Sequence, residues 1–410
     1  MGLVARQATV IRGANLGEDC RSSARCAAML GARIEPRADG WRIEGGTLRE
    51  SDQPLDCGNS GTTLRLLAGI VAARPFRSVL TGDPSLSRRP VDRIVTPLRQ
   101  MGAIARARDG DRFPPLEIEG AALKPIRYDV PVASAQVASC ILFAALECRG
   151  VTEITLPGPA RDHTERMLAA AGAAIEIEPL ALGGRRVRLS GPFELPGGEI
   201  RVPGDFSAAA FFLAAAAAQP GARIEAVGVG LNPSRTRLLD VLEAMGAIVE
   251  REKLPGAGES AGRVAVTGPE RLEAADVPAE WLPGMIDEVP AWAIAASAAH
   301  GVSRLAGAGE LRHKESDRLA ALARNLGALG IEARELPDGL EITGGIPRGG
   351  RVRAEGDHRI AMAFACVGAR ARGAVEIDDA RSIATSYPGF LDALRALGGQ
   401  IEAGPEGSEA

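Results

Sequence analysis

Three segments gather ionisable groups at spacings suited to handling anions and protons. Arg312–His313–Lys314–Glu315–Ser316–Asp317–Arg318–Leu319 sets Lys314 and Arg318 four residues apart, on one face of a helix, with Glu315 turned about 100° away. Gly356–Asp357–His358–Arg359–Ile360–Ala361–Met362 offers Asp357 as an N-cap with two basic residues in the first turn. Ile286–Asp287–Glu288 places a carboxylate pair ahead of an apolar helix, Val289–Ala299. Paired arginines suit a planar carboxylate, and two carboxylates in different surroundings can divide acid and base roles. The plain alternative for the first segment is a solvated, salt-bridged face. Against it stand the amphipathic run that follows and the scarcity of lysine, since Lys124, Lys253 and Lys314 are the only three among 48 cations.

Other loops run into helices with cations close by. Gly58–Asn59–Ser60–Gly61–Thr62–Thr63 precedes an apolar helix, Leu64–Ala73, with Arg65 in its first turn. Free N–H groups and the positive end of the helix dipole make such a terminus an anion site, although an ordinary Ser/Thr cap explains it equally simply. Ser87–Arg88–Arg89–Pro90 opens the next predicted helix, with proline in its first turn. Val132–Ala133–Ser134–Ala135–Gln136 begins another, where Ser134 can cap the helix or bind an oxyanion. His163 has no Ser or Cys nucleophile nearby and reads as structural. Together these segments describe a cleft of helix N-termini and arginines, fitted to a substrate with several anionic groups.

A repeated unit must position them. Six times an apolar helical period ends at a glycine and is followed by period-2 alternation, at Gly31, Gly102, Gly172, Gly246, Gly330 and Gly398. The spacing of roughly 70 residues is too long for a solenoid repeat, so each unit is a small α/β fold and six of them make two domains of three. The predicted domains are 1–202 and 203–410, with the join at Val202–Pro203–Gly204–Asp205. Six full units of this size need about 440 residues against the 410 present.

The composition narrows the partners. A formal charge of −4 and 14 aromatics argue against nucleic acid. The longest apolar run, Ala208–Ala218, is too short for a bilayer, and the N-terminus lacks a basic segment followed by an apolar one, so neither a membrane span nor a signal peptide is expected. The six cysteines form no CxxC and no metal-ligand spacing with the four histidines, which predicts buried free thiols, no metal and a reducing cytoplasm.

In order, GNSGTTLRLLAG, GDPSLSRRPVDRIVTPLRQMGA, VASAQVASCILFAAL, RDHTERML, VPGDFSAAAFFL, MIDEVPAWAIAA, ELRHKESDRLAAL, GDHRIAMAFA and ATSYPGFLDAL resemble the 5-enolpyruvylshikimate-3-phosphate synthases over residues 8–403. GNSGTT and ATSYPG resemble the glyphosate-tolerant branch, although Gly61 stays a glycine. The resemblance implies an inside-out α/β fold of two domains, each of three βαβαββ units. It implies transfer of the enolpyruvyl group of phosphoenolpyruvate to the 5-hydroxyl of shikimate 3-phosphate, in the shikimate pathway, by a monomer without cofactor. Carried over by motif, Ser134, the Ala135 backbone, Gln136 and Arg161 would hold shikimate 3-phosphate, with Asp287 on its hydroxyls and Lys314 bridging hydroxyl and phosphate. Asn59, Gly61, Arg89 and Gln136 would bind the phosphate of phosphoenolpyruvate, and Arg318 and Arg359 its carboxylate. Glu315 would protonate the methylene carbon, with Asp287 as partner in proton transfer and Lys314 in the catalytic set.

Three departures stand out. Ala160 replaces a usual Ser or Thr, and Thr385 a Lys found in some members. The family's opening G-[SD]-K-S-x-S-x-R segment has no counterpart, for Met1 falls inside the helix that would follow it. The alternative reading is therefore an impaired or non-catalytic paralogue that binds anionic metabolites. A sugar-nucleotide enolpyruvyl transferase fits less well, because Ser85–Leu86–Ser87 stands where that relative carries a reactive cysteine.

Overall fold

The computed structural model describes residues 1–256 and 258–402. The chain divides into two compact units, Met1–Pro203 with Gly256–Glu259, and Gly204–Pro255 with the described residues from Ser260 onward. The assignment of Gly256–Glu259 to the first unit is a detail that a single cut between 202 and 203 does not contain. Glu259 lies 2.8 Å from His163 Nδ1, and this ties the segment to that unit.

The repeat is visible as one sheet pattern, in which two parallel strands are followed by two antiparallel ones. In the first unit, Leu55–Asp56, Arg77–Thr81, Phe113–Glu119 and Ile104–Ala107 lie side by side in that order. Arg127–Asp129, Gly150–Leu156, Arg185–Gly191 and Ala174–Pro179 repeat it. The third sheet is completed from far along the chain: Gly198–Arg201 pairs in parallel with Thr9–Arg12, which continues into Gly40–Glu44 and Arg33–Arg37. The second unit holds Asp276–Val277, Val302–Leu305, Gly339–Thr343 and Ala333–Leu336 in the same pattern. Its other sheets among the described residues have three strands (Arg223–Gly230, Ala261–Thr267, Ile248–Lys253) and two (Arg348–Val352, Arg372–Ile377).

The six repeat glycines stop helices as their context requires. Gly31, Gly102, Gly172, Gly246, Gly330 and Gly398 all have positive φ, where a side chain would be strained.

Inside each unit run helices that are apolar on every side, which makes them core rather than surface helices. Gly61–Ala72 and Ala135–Ala145 fill the first unit, with Val137 through Ala145 all buried. Phe206–Ala217, Val289–Ala296 and His358–Gly368 fill the second. The first pair cross closely at Gly69, where a Cβ would stand 2.1 Å from the Cys140 carbonyl oxygen, so only glycine permits that approach. Four of these helices follow one strand of a parallel pair and lead into the next, and Phe206–Ala217 lies likewise between the two sides of a single parallel bridge, Gly204 with Val229. Their N-termini therefore emerge at the strands' C-terminal ends, where α/β folds place their ligands. No helix among the described residues is long and apolar enough to cross a membrane.

Candidate active site

In the first unit the site builds on the N-terminus of Gly61–Ala72, which begins three residues earlier than the sequence suggests because Ser60 caps it through the Thr63 amide at 3.2 Å. Arg65 therefore lies a full turn inside. Its Nη1 donates to the Gly61 carbonyl at 3.2 Å and to Gln136 Oε1 at 2.9 Å, and its Nη2 to the Pro90 carbonyl at 3.0 Å. These acceptors are neutral. Burial, then the charges of Arg89 and Arg93, push the Arg65 guanidinium below its ordinary range. Arg89 approaches from the other side, donating Nη2 to Asn59 Oδ1 at 2.7 Å, while Asn59 Nδ2 donates to Asp83 Oδ2 at 2.7 Å. Gln136 Nε2 closes the ring on Thr62 Oγ1 at 2.8 Å. A methyl group on Gly61 would meet Arg65 Nη1 at 2.6 Å and Arg89 Nη1 at 3.7 Å, so the bare glycine faces two guanidinium groups. Two cations converging on a helix N-terminus are an arrangement able to hold an anion.

Arg89 does not open a helix as predicted. Leu86–Arg88 is a 3₁₀ turn, Arg89 is extended, and the helix starts at Asp92, because Asp83 Oδ1 takes the Leu86 amide and bends the chain first. Ser134 caps Ala135–Ala145 through the Val137 amide at 3.4 Å, which sets Ala135 and Gln136 in the first turn. Arg161 lies in the loop after Gly150–Leu156. Arg185 holds that loop, donating to the carbonyls of Ala160 at 2.7 Å and Arg161 at 2.9 Å while pairing with buried Glu165 at 2.6 Å.

In the second unit the 312–319 segment is not one helix. Gly309–His313 is a 3₁₀ turn, Lys314 is extended, and the α-helix begins at Arg318 because Asp317 accepts the Ala320 amide. Lys314 and Arg318 thus share no helix face, yet they converge: Lys314 Nζ and Arg318 Nη1 each lie 4.0 Å from Asp287 Oδ1. Lys314 also pairs with Glu310 at 2.6 Å. Asp287 sits in a 3₁₀ turn, Ile286–Glu288, and the helix after it ends at Ala296, earlier than the expected Ala299.

Arg318 is the most heavily paired cation of the group. Its side chain is 1% exposed, with Nε on Asp357 Oδ2 at 2.7 Å, Nη2 on Asp357 Oδ1 at 3.3 Å, and Nη2 also on Glu315 Oε2 at 2.6 Å. Glu315 stays half exposed, a placement that keeps its carboxyl within reach of a ligand. Asp357 caps His358–Gly368 through the Arg359 amide and accepts from Ser316 Oγ at 3.1 Å. Burial works against its charge, but Arg318 and these hydrogen bonds prevail and hold the carboxyl below its ordinary range. Arg359 Nη1 donates to the Asp287 carbonyl at 2.7 Å. Sequence reasoning gave Arg65, Asp83, Asp357 and Arg185 no binding or positioning role. Asp357 and Arg65 carried a signal, as a cap and a cation near a helix start, whereas Asp83 and Arg185 showed none. No group of His, Cys, Asp and Glu among the described residues could hold a metal.

The sheet pattern and the core helices are those of an enolpyruvyl transferase fold. The enolpyruvyl transferase NikO of Streptomyces tendae has the same fold at a TM-score of 0.72 and 18% identity, over 98% of this chain and 91% of that one. The chain belongs to the family described as EPSP synthase (3-phosphoshikimate 1-carboxyvinyltransferase), which it matches over residues 1–394. A 3-phosphoshikimate 1-carboxyvinyltransferase of Acidiphilium cryptum is 48% identical over 402 residues, 96% of this chain and 90% of that protein. An EPSP synthase structure from Acinetobacter baumannii superposes at a TM-score of 0.90 with 39% identity, over 98% of this chain and 92% of that one.

Proposed function

We propose that this protein transfers the enolpyruvyl group of phosphoenolpyruvate to the 5-hydroxyl of shikimate 3-phosphate and releases phosphate. The observation that carries the reading is the gathering of Asp287, Lys314, Arg318 and Glu315, a carboxylate at 4.0 Å from two cations with a second, half-exposed carboxyl on one of them. In the first unit, Asn59, Gly61, Arg89 and Gln136 take the phosphate of phosphoenolpyruvate, and Ser134, the Ala135 backbone, Gln136 and Arg161 take shikimate 3-phosphate. In the second, Arg318 and Arg359 hold the carboxylate of phosphoenolpyruvate, Asp287 contacts the shikimate hydroxyls, and Lys314 bridges hydroxyl and phosphate.

Glu315 gives a proton to the methylene carbon while the 5-hydroxyl oxygen bonds to the central carbon and passes its proton to Asp287. The Glu315 carboxylate then takes a proton back from the methyl group while phosphate leaves with the proton held on Asp287, which restores the double bond and both side chains. The free thiols fit a reducing cytoplasm, and the chain acts as a monomer.

The test is phosphate release that requires both substrates. Glu315→Gln should cut kcat about a hundredfold and leave shikimate 3-phosphate affinity within about threefold, since general acid–base groups contribute about 10²–10⁴. A chain that binds shikimate 3-phosphate and releases no phosphate would be a binding paralogue, and the reaction assigned here would fall.

A further inference from the structure

Two segments with little apparent use in the chemistry meet beneath Asp287. Ser207, the second residue of Phe206–Ala217, is 2% exposed and donates its hydroxyl to Glu288 Oε1. Arg235 Nη2 donates to Ser207 Oγ at 2.6 Å and reaches Asp205 Oδ1, the cap of the same helix, at 3.5 Å. Glu288 is itself 3% exposed and directly follows Asp287 in the turn Ile286–Glu288. That turn is consequently gripped at two successive residues by different elements, Ser207 on the Glu288 carboxyl and Arg359 on the Asp287 carbonyl.

A carboxyl buried this deeply is costly, and starting the apolar helix at Val289 does not require one. Burial pushes the Glu288 carboxyl above its ordinary range. The Ser207 hydrogen bond and the charges of Arg235 and Arg359 act the other way, and Asp287 adds to the rise. Asp205 is a further charged partner of this cluster, through Arg235. An apolar residue at 288 would fill the space more cheaply but would leave the turn free to rotate Asp287 away from Lys314 and Arg318.

We propose that Ser207, Arg235 and Glu288 are positioning residues, a buried hydroxyl–carboxyl–guanidinium clasp that fixes the Asp287 carboxylate between Lys314 and Arg318. The proposal rests on the role given to Asp287 under the proposed reaction. Substrate contact stays with Asp287, and the clasp acts through the turn.

Ser207→Ala removes the hydroxyl and little volume, while Glu288→Gln keeps an acceptor for it. Ser207→Ala and Glu288→Ala should each lower kcat about tenfold or more, with KM for phosphoenolpyruvate changed less than about threefold, and Glu288→Gln should recover most of the loss. Unchanged kcat with a lowered thermal midpoint would make the cluster ordinary helix packing and overturn the proposal. A raised KM with unchanged kcat would shift its action to Arg359 and overturn it as well. Crystal structures of the parent chain and Ser207→Ala give a reading that needs no turnover. Displacement of Asp287 Oδ1 by about 1 Å, a scale that costs about a hundredfold in rate, supports the clasp, and an unmoved carboxylate refutes it. Absence of turnover in the parent chain would count against the proposed reaction alone.

Discussion

Asp357→Asn puts the Arg318 pair to a quantitative test. The two side chains are 1% and 0% exposed and share a two-pronged contact at 2.7 and 3.3 Å. Removing one charge of a buried pair costs about 3–5 kcal/mol, because the survivor is left in a poorly solvating interior. Asn keeps an oxygen for the Arg359 amide, so the cap of His358–Gly368 survives. Asp357→Ala loses the cap too, at about 1 kcal/mol more. Urea unfolding followed by tryptophan fluorescence reads both variants. In a Trp41→Phe background the remaining tryptophans, Trp281 and Trp292, lie in the second unit and report on it alone. At about 2–3 kcal/mol per molar urea, the Asn variant should unfold about 1.5 M earlier than its parent. An Asn variant within about 1 kcal/mol of the parent would refute the reasoning, and would mean that Glu315 at 2.6 Å and Asp287 at 4.0 Å suffice to hold Arg318.

Gly61→Ala places a methyl 2.6 Å from Arg65 Nη1 and should loosen its bond to Gln136, weakening inhibition by glyphosate more than binding of phosphoenolpyruvate; equal loss of both would show that Gly61 does not face that ligand. Burial first, then Arg359, hold the His358 imidazole below its ordinary value of 6.5, so as pH falls below that value the unfolded chain takes up a proton that the folded chain refuses. Stability should therefore decline on acidification from pH 7 to 5, and thermal melts of His358→Gln should decline less; parallel profiles would remove His358 from the account. Cys20 is the partly exposed thiol, while burial pushes Cys140 and Cys366 up to about 12 and Cys148 to about 11. A thiol reagent should thus label one cysteine quickly in the native chain and six after denaturation, and rapid labelling of two or more natively would contradict the packing.

The periodic features were legible because they follow local rules. A glycine after an apolar 3.6-residue period needs a left-handed backbone, and all six have it. Two of the inner helices were legible as apolar runs, at Leu64–Ala73 and Val289–Ala299. Helix starts were less legible at Arg89 and Lys314, since the carboxylates that decide them, Asp83 and Asp317, choose among several competing amides. Contacts such as Arg318 with Asp357, 39 positions apart, or Ser207 with Glu288, 81 apart, belong to the packing of whole repeats and leave no trace in either neighbourhood. Motif resemblance gave Asp287, Lys314 and Glu315 ligand-facing roles as expectations, and gave none to the buried groups beside them, Asp357, Ser207 and Glu288.

The pairing of Thr9–Arg12 with Gly198–Arg201 bears on how the protein is made. A ribosome adding about 5–20 residues per second needs roughly 10–40 s to reach the second strand after the first has emerged. For that interval Thr9–Arg12 can join Gly40–Glu44 on one side while its other edge stays open, an invitation to strand exchange with a neighbouring nascent chain. The first unit cannot finish until Gly256–Glu259, beyond that second strand, has been made as well. Its yield in the cell should therefore depend on chaperones that shield nascent chains more than on the final stability of its core.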